Sequence, residues 1–385
     1  MQNFTYHNPT TLVFGKGSIG RLPMLLPAKA KVLLTYGGGS IKTNGVHKQV
    51  VLAMRNWQML EFGGIEPNPR YETCMKAVEL VRAEGVDFLL AVGGGSVLDG
   101  TKFIAAAVPY KGKDPWDMLT DWELVPANTL PIGCVMTLPA TGSEANGGSV
   151  ITRESTKDKL FFVVPQNFPR FSILDPETTY TLPPRQTANG VVDAFVHTIE
   201  QYMTYPADAP LQDRQAEAIF LTLIEEGPKA LAEPRNYTVR ANLMWCATQA
   251  LNGLISCGVP QDWATHMIGH EFTALYGLDH AQSLALVLPG MLQHERRRKQ
   301  AKLLQYADRV WGIHDGDEDA RVTQAIERTE QFFHSLGVGT RFSDYNIPHE
   351  AIEIVASRIA KRGMKLGEHG DLGEKAVREI LALRV

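Results

Sequence analysis

Twice within its first hundred residues the chain ends a short apolar run in Gly-Gly-Gly-Ser, and no other feature narrows its fold as much. Residues 30–36, Ala-Lys-Val-Leu-Leu-Thr-Tyr, lead into Gly37-Gly38-Gly39-Ser40, and residues 86–92, Val-Asp-Phe-Leu-Leu-Ala-Val, lead into Gly93-Gly94-Gly95-Ser96. Apolar runs without alternation are what strands buried on both faces of a parallel sheet require. Glycine then lets the backbone turn sharply. After the second turn, Ser96 is placed to cap a helix carrying Val97, Leu98, Phe103 and Ile104, and residues 74–84 read as a helix between the two strands. Residues 131–138 give a third strand, followed by the small and polar loop Pro139-Ala-Thr-Gly-Ser-Glu-Ala-Asn146. Such β-turn-α units predict a mostly parallel sheet.

The pattern changes at Leu174-Asp-Pro-Glu-Thr-Thr-Tyr-Thr-Leu-Pro-Pro184, too rich in proline to continue a helix or strand. Beyond it, apolar residues recur at helical spacing over 212–224, 239–254, 264–276, 300–311 and 321–336, without strand-like alternation. The expectation is an α/β dinucleotide-binding domain with a parallel sheet over residues 1–181 and an all-α domain over 182–385. With 385 residues the chain is long enough for two cores.

Composition removes several classes of function. A net charge of −4 gives no general attraction to nucleic acid or anionic lipid, and the one basic run, residues 294–299, reads as a solvated helix face. Cys74, Cys134, Cys246 and Cys257 are scattered, with no Cys-x-x-Cys pair, so neither a disulfide framework nor a zinc ribbon is indicated. No window reaches the roughly 18–20 apolar residues of a membrane span. The N-terminal residues lack a basic segment followed by an apolar core, and the expected location is the cytoplasm.

Chemistry enters with Asn189-Gly-Val-Val-Asp193-Ala-Phe-Val-His197. On a helix, Asp193 and His197 leave the same face, close enough to share one cation. A second pair, His266 and His270, is also four apart, and Asp279-His280 follows. Any one of these is ordinarily a hydrogen-bonded core residue. Their clustering favours a metal site, and imidazole plus carboxylate without thiolate suits a catalytic Zn or Fe ion. Spacing does not decide between His266 and His270.

The glycine turns are the other chemical feature. A turn between strand and helix lets main-chain N–H groups approach a phosphate, helped by the helix dipole. The spacing is not G-x-G-x-x-G, and one such turn is often only a turn. Two suggest a dinucleotide. An acidic residue would hold the ribose 2′-hydroxyl of NAD; the first turn offers Gly38, Gly39 and Ser40 with Lys42 nearby, which favours NADP.

Taken together, the motifs resemble the iron-containing (group III) alcohol dehydrogenases, and within them the bacterial NADPH-dependent aldehyde reductase and butanol-dehydrogenase branch. The resemblance runs from Asn-Pro-Thr-Thr-Leu-Val-Phe-Gly-Lys-Gly (8–17) through Gly-Gly-Gly-Ser-Val-Leu-Asp-Gly-Thr-Lys (93–102), Thr-Leu-Pro-Ala-Thr-Gly-Ser-Glu (137–144) and Gly-Val-Val-Asp-Ala-Phe-Val-His (190–197) to Pro-Gln-Asp-Trp-Ala-Thr-His-Met-Ile-Gly-His-Glu (260–271). It implies a dehydroquinate synthase-like fold, a metal held by Asp193, His197, His266 and His280, and His270 as a nearby non-ligand that relays a proton. It also implies pyrophosphate contacts at Gly94, Gly95 and Ser96, with Asp99 shaping that loop. The nicotinamide side falls near Thr137, Leu138, Ser143 and Asn146, Lys159 reaches the cofactor, and Gly38 and Ser40 take the 2′-phosphate. The activity implied is reduction of short to medium aldehydes by NADPH, with one Fe(II) or Zn(II) per chain and a homodimer. Two alternatives compete: an NAD-linked polyol dehydrogenase, disfavoured by the acid-free first turn, and a dehydroquinate synthase-type lyase. The lyase needs a basic pocket, and only Arg185 and Arg214 are in view. Trp263, Met267, Phe272 and Tyr276 either line an apolar pocket or form core.

Overall fold

The computed structural model describes residues 1–385, which divide into two compact units. One comprises His7–Pro183 and Pro234–Asn252; the other comprises Met1–Tyr6, Pro184–Glu233 and Gly253–Val385.

The first unit is built on strands β1 (Thr11–Phe14), β2 (Lys31–Thr35), β3 (Gln58–Phe62), β4 (Phe88–Gly94), β5 (Ile132–Leu138), β6 (Gly148–Arg153), β7 (Asp158–Val163) and β8 (Phe171–Leu174). Six of them form one sheet in the order β1-β8-β5-β4-β2-β3, every pairing parallel. Its helices are α1 (Leu22–Leu25), α2 (Ser40–Thr43), α3 (Val46–Ala53), α4 (Tyr71–Glu84) and α5 (Gly95–Ala107).

The unalternated runs have a direct explanation. Leu33, Leu89, Ala91, Ile132, Cys134 and Met136 feed one core with α4 and α5, while Val32, Leu34, Phe88, Leu90, Val92 and Val135 feed another with α3 and Ile19. Successive side chains point to opposite faces, so a strand covered on both sides must be apolar throughout. Each fully buried Val or Leu contributes about 1.5–3 kcal/mol.

Three local expectations change. α5 begins at Gly95, with Gly94 as its cap residue and no side-chain cap, because β4 runs directly into the helix. Ser96 therefore lies inside the first turn, and its Oγ accepts from the Asn68 main-chain N–H at 3.2 Å. Residues 148–163, unassigned from sequence, form the antiparallel hairpin β6–β7. Finally, of residues 239–254 all but the last two belong to the sheet unit: α6 (Pro184–Tyr202), α7 (Pro210–Ala232) and α8 (Tyr237–Ala250) follow in sequence, but α8 is part of that unit, where the Thr248 hydroxyl donates to Glu144 Oε1 at 2.5 Å.

The second unit holds α6, α7, α9 (Ala264–Tyr276), α10 (His280–His294), α11 (Gln300–Arg309), α12 (Glu318–Ser335), α13 (Ala351–Lys361) and α14 (Glu374–Ala382). α6 is buried from Thr187 to Tyr202, as a helix enclosed on all sides must be. Phe195 packs against Phe220, Phe332 and Phe333 with ring centroids 4.8–5.5 Å apart. The run 294–299 is not a solvated face. Glu295 and Lys299 are buried, and Lys299 Nζ lies 2.6 Å from Asp262 and 2.5 Å from Glu368. Burial works against that ammonium, but the two carboxylates outweigh it and hold its pKa above the ordinary lysine value. No helix is long and apolar enough to cross a membrane.

Candidate metal centre and nucleotide-binding turns

Asp193 and His197 stand one turn apart on α6, His266 lies in the first turn of α9, and His280 opens α10. One potential ligand atom from each lies within 4.8 Å of all the others, close enough for one ion to engage the four. Asp193 Oδ1 is 3.7 Å from both His197 Nδ1 and His280 Nε2. The His197 and His266 rings stack at 4.7 Å. The placement of His280 follows from its neighbour: Asp279 precedes α10, its carboxylate accepts from Asn189 Nδ2 on α6 at 2.7 Å, and its N–H donates to Gln282 Oε1 at 3.0 Å. Asp279 is thus a fixing residue and not a ligand.

The donor set fits a divalent cation on an independent ground. Asp193 is buried, and its Oδ1 accepts no hydrogen bond. A buried carboxylate oxygen without a donor is costly, and a coordinated cation removes that cost. His270 is buried beside the cluster, its ring 5.4 Å from that of His280 and 6.2 Å from that of His266, but it is outside the four. Asp262 also stays out, held by Lys299.

Of the aromatics, Trp263 sets its edge against His266 at 5.4 Å, whereas Phe272, Tyr276 and Met267 join the core around Phe342. Sequence reasoning passed over Glu200. Its Oε1 accepts from the His266 main-chain N–H at 3.1 Å, and its Oε2 hydrogen-bonds His266 Nδ1. Burial, then the nearby Asp262 charge, push its carboxyl well above the usual range.

In the sheet unit the second glycine turn is crowded. A Cβ on Gly93 would meet Val97 at 2.5 Å, on Gly94 Leu138 at 2.9 Å, and on Gly95 Thr141 at 2.4 Å, so close packing of strand and helix demands glycine there. The first turn differs: Gly38 has open space around it, and Gly39 takes φ 97°, which glycine alone adopts readily.

Behind the second turn lies a polar network. Asp99 accepts from Ser143 Oγ at 2.7 Å and from the Val150 N–H at 3.1 Å. Burial raises its pKa despite the opposing Lys102 charge. Lys102, fully buried, donates to the carbonyls of Ser143, Asn146 and Gly148 at 2.8–2.9 Å and to Ser143 Oγ at 2.7 Å. Burial pushes its pKa down to about 8. Asn146 spends its amide on Gly142 O and Leu251 O. Thr137 and Leu138 end β5. Lys159, on β7, donates to Asn68 Oδ1 at 2.9 Å, and Asn68 N–H reaches Ser96 Oγ, so Lys159 is joined to the glycine turn through one residue.

Lys42 and Glu61 complete the first turn. Lys42 Nζ is 3.0 Å from Glu61 Oε2 and 4.8 Å above the Tyr36 ring, and Glu61 Oε1 is 2.7 Å from His47 Nε2. The turn itself has no carboxylate, but β3 brings one beside it.

Family models for the iron-containing alcohol dehydrogenases match residues 9–176, and for the C-terminal part of the Fe-containing alcohol dehydrogenase family residues 187–384. The chain belongs to the iron-containing alcohol dehydrogenase family. It is 59% identical over 374 residues to the NADPH-dependent aldehyde reductase YqhD of Escherichia coli, 97% of each chain being covered. It is 43% identical to the probable NADH-dependent butanol dehydrogenase 1 of Bacillus subtilis, covering 99% of each. The crystal structure of E. coli YqhD superposes with a TM-score of 0.98 at 57% identity, covering 100% of this chain and 99% of that one. NADH-dependent butanol dehydrogenase A of Thermotoga maritima does so with 0.95 at 36% identity, over 100% and 99%.

Proposed function

We propose that this member of the family reduces short to medium aldehydes with NADPH at a divalent metal centre formed by Asp193, His197, His266 and His280. The observation that carries the reading is the convergence of those four side chains around a buried carboxylate oxygen that has no other partner. When bound, the ion supplies Lewis-acid polarisation of a carbonyl oxygen, and NADPH supplies the hydride that reduces the carbonyl carbon. The chain does the rest. Asp279 holds the start of α10 so that His280 joins the cluster, and Trp263 packs against His266. His270, buried beside the cluster, is the residue we assign to passing a proton to the nascent hydroxyl.

On this reading the sheet unit serves the dinucleotide and the helical unit the metal, with Gly94, Gly95, Ser96, Asp99 and Lys159 at the phosphates, Thr137, Leu138, Ser143 and Asn146 toward the nicotinamide, and Gly38 and Ser40 at the 2′-phosphate. The first turn, which has no carboxylate of its own, supports NADP, as does the likeness to a relative named NADPH-dependent. The metal is Fe(II) or Zn(II), since imidazole and carboxylate serve both. Four free, buried cysteines fit a reducing compartment, and the proposal includes a cytoplasmic homodimer. The lyase alternative is weakened because its two basic candidates are spent: Arg185 lies 3.4 Å from Asp279 and Arg214 2.8 Å from Glu217.

The test is conversion of butyraldehyde to butanol with matched consumption of NADPH, run beside NADH. Equal or greater turnover with NADH overturns the cofactor assignment. No turnover of any short aldehyde by metal-loaded protein overturns the activity.

A further inference from the structure

We infer that Glu200 fixes the orientation of the His266 ring and thereby sets the affinity of the four-residue cluster for its cation, a positioning role that rests on the metal reading above. Asp193, His197 and Glu200 follow one another at i, i+4 and i+7, so α6 presents all three on one face. The first two contribute to the cluster, and the third sits directly behind it. Glu200 is 4% exposed. Both of its oxygens reach His266, Oε1 accepting from the main-chain N–H at 3.1 Å and Oε2 bonded to the ring nitrogen Nδ1.

Each contact does separate work. His266 lies in the first turn of α9, where main-chain N–H groups have no partner inside the helix, and Glu200 supplies one from another helix. The ring contact selects the tautomer. With Oε2 accepting from Nδ1–H, the ring proton stays on Nδ1 and the lone pair on Nε2, the form a cation requires, with the ring held against rotation. The Glu200 carbonyl also accepts from the Asp262 N–H at 2.8 Å, so the segment entering α9 is held by main chain and side chain alike.

The experiment titrates Zn(II) into metal-stripped protein in competition with a chromophoric chelator, for the wild type, Glu200→Gln and Glu200→Ala. Thermal unfolding of each metal-free form is followed alongside. Losing an outer-shell partner of a ligand imidazole typically weakens metal binding 10- to 100-fold, and Glu200→Ala is expected in that range. Glu200→Gln retains one acceptor where two are used, and an intermediate affinity is expected. Should Glu200→Ala not fold, an affinity for Glu200→Gln several-fold below wild type supports the role by itself. Wild-type zinc affinity in the variants that fold overturns it, even with lowered stability of the metal-free form, and reduces Glu200 to a helix cap. Absence of zinc binding by the wild type is a different failure, seen before any substitution, and overturns the metal reading with it.

Discussion

Lys102→Met is the perturbation whose cost the structure specifies best. The Lys102 ammonium is fully buried and holds three main-chain carbonyls, those of Ser143, Asn146 and Gly148. A hydrogen bond from a charged donor contributes about 1.5–3 kcal/mol, so losing three costs roughly 6 kcal/mol. Methionine also removes the penalty of keeping a charge in the interior. Burial lowers the Lys102 pKa from 10.5 to about 8, equivalent to about 3 kcal/mol. The difference leaves a net loss of about 3 kcal/mol. For a unit of this size that corresponds to a fall of roughly 6–12 °C in the unfolding midpoint. The segment freed, residues 142–148, includes Ser143 and Asn146, so KM for NADPH should rise about tenfold or more while kcat falls less. Differential scanning calorimetry and initial rates at varied NADPH measure both. A midpoint within 2 °C of wild type together with an unchanged KM would refute the reasoning, because it would mean that Lys102 does not hold the loop.

Lys102 also has a pH signature. Between about pH 8 and 10.5 it is deprotonated in the folded chain and protonated in the unfolded one, so the unfolded state binds more protons and this group makes stability rise with pH across that window. Denaturant midpoints should show that positive contribution in wild type and lose it in Lys102→Met. At the first turn, Lys42→Met is expected to weaken 2′,5′-ADP about 5- to 10-fold while leaving 5′-AMP unchanged, read by calorimetry; equal effects on both would remove Lys42 from phosphate recognition. His270→Ala should lower kcat by about a hundredfold and alter the pH–rate profile, and an unaltered rate and profile would end its proton-relay assignment.

How far the sequence carried differs between the units. β2, β4 and β5 were legible because both of their faces are buried, which writes an apolar run rather than an alternation. The hairpin β6–β7 was not, because its residues sit beside a polar loop whose order depends on Lys102 and Asp99, both distant in sequence. α8 read correctly as a helix, but helical periodicity says nothing about which core a helix joins, and its ties to the sheet unit, the Thr248 hydroxyl on Glu144, the Tyr237 hydroxyl on the Lys16 N–H, Met244 in the core and Trp245 against Phe14, all reach residues distant in sequence. For the candidate site, i,i+4 spacing exposed Asp193 and His197. The choice among His266, His270 and His280 needed the family, since all three are buried or half-buried and lie near one another. Glu200 carried a signal that was overlooked, the i+7 position on the face of Asp193 and His197. Glu61 carried none, because strand pairing alone brings it to Lys42.

The central claim is that aldehyde reduction depends on one cation held by Asp193, His197, His266 and His280. It is tested most directly by removing the metal with a chelator, adding back Zn(II) or Fe(II) in measured steps, and following NADPH oxidation at 340 nm with butyraldehyde beside the bound-metal content. The account predicts loss of activity on stripping, recovery in proportion to bound metal with saturation at one ion per chain, and no recovery in Asp193→Asn. Stripped protein that keeps its full rate, or Asp193→Asn protein that recovers like wild type, would contradict it.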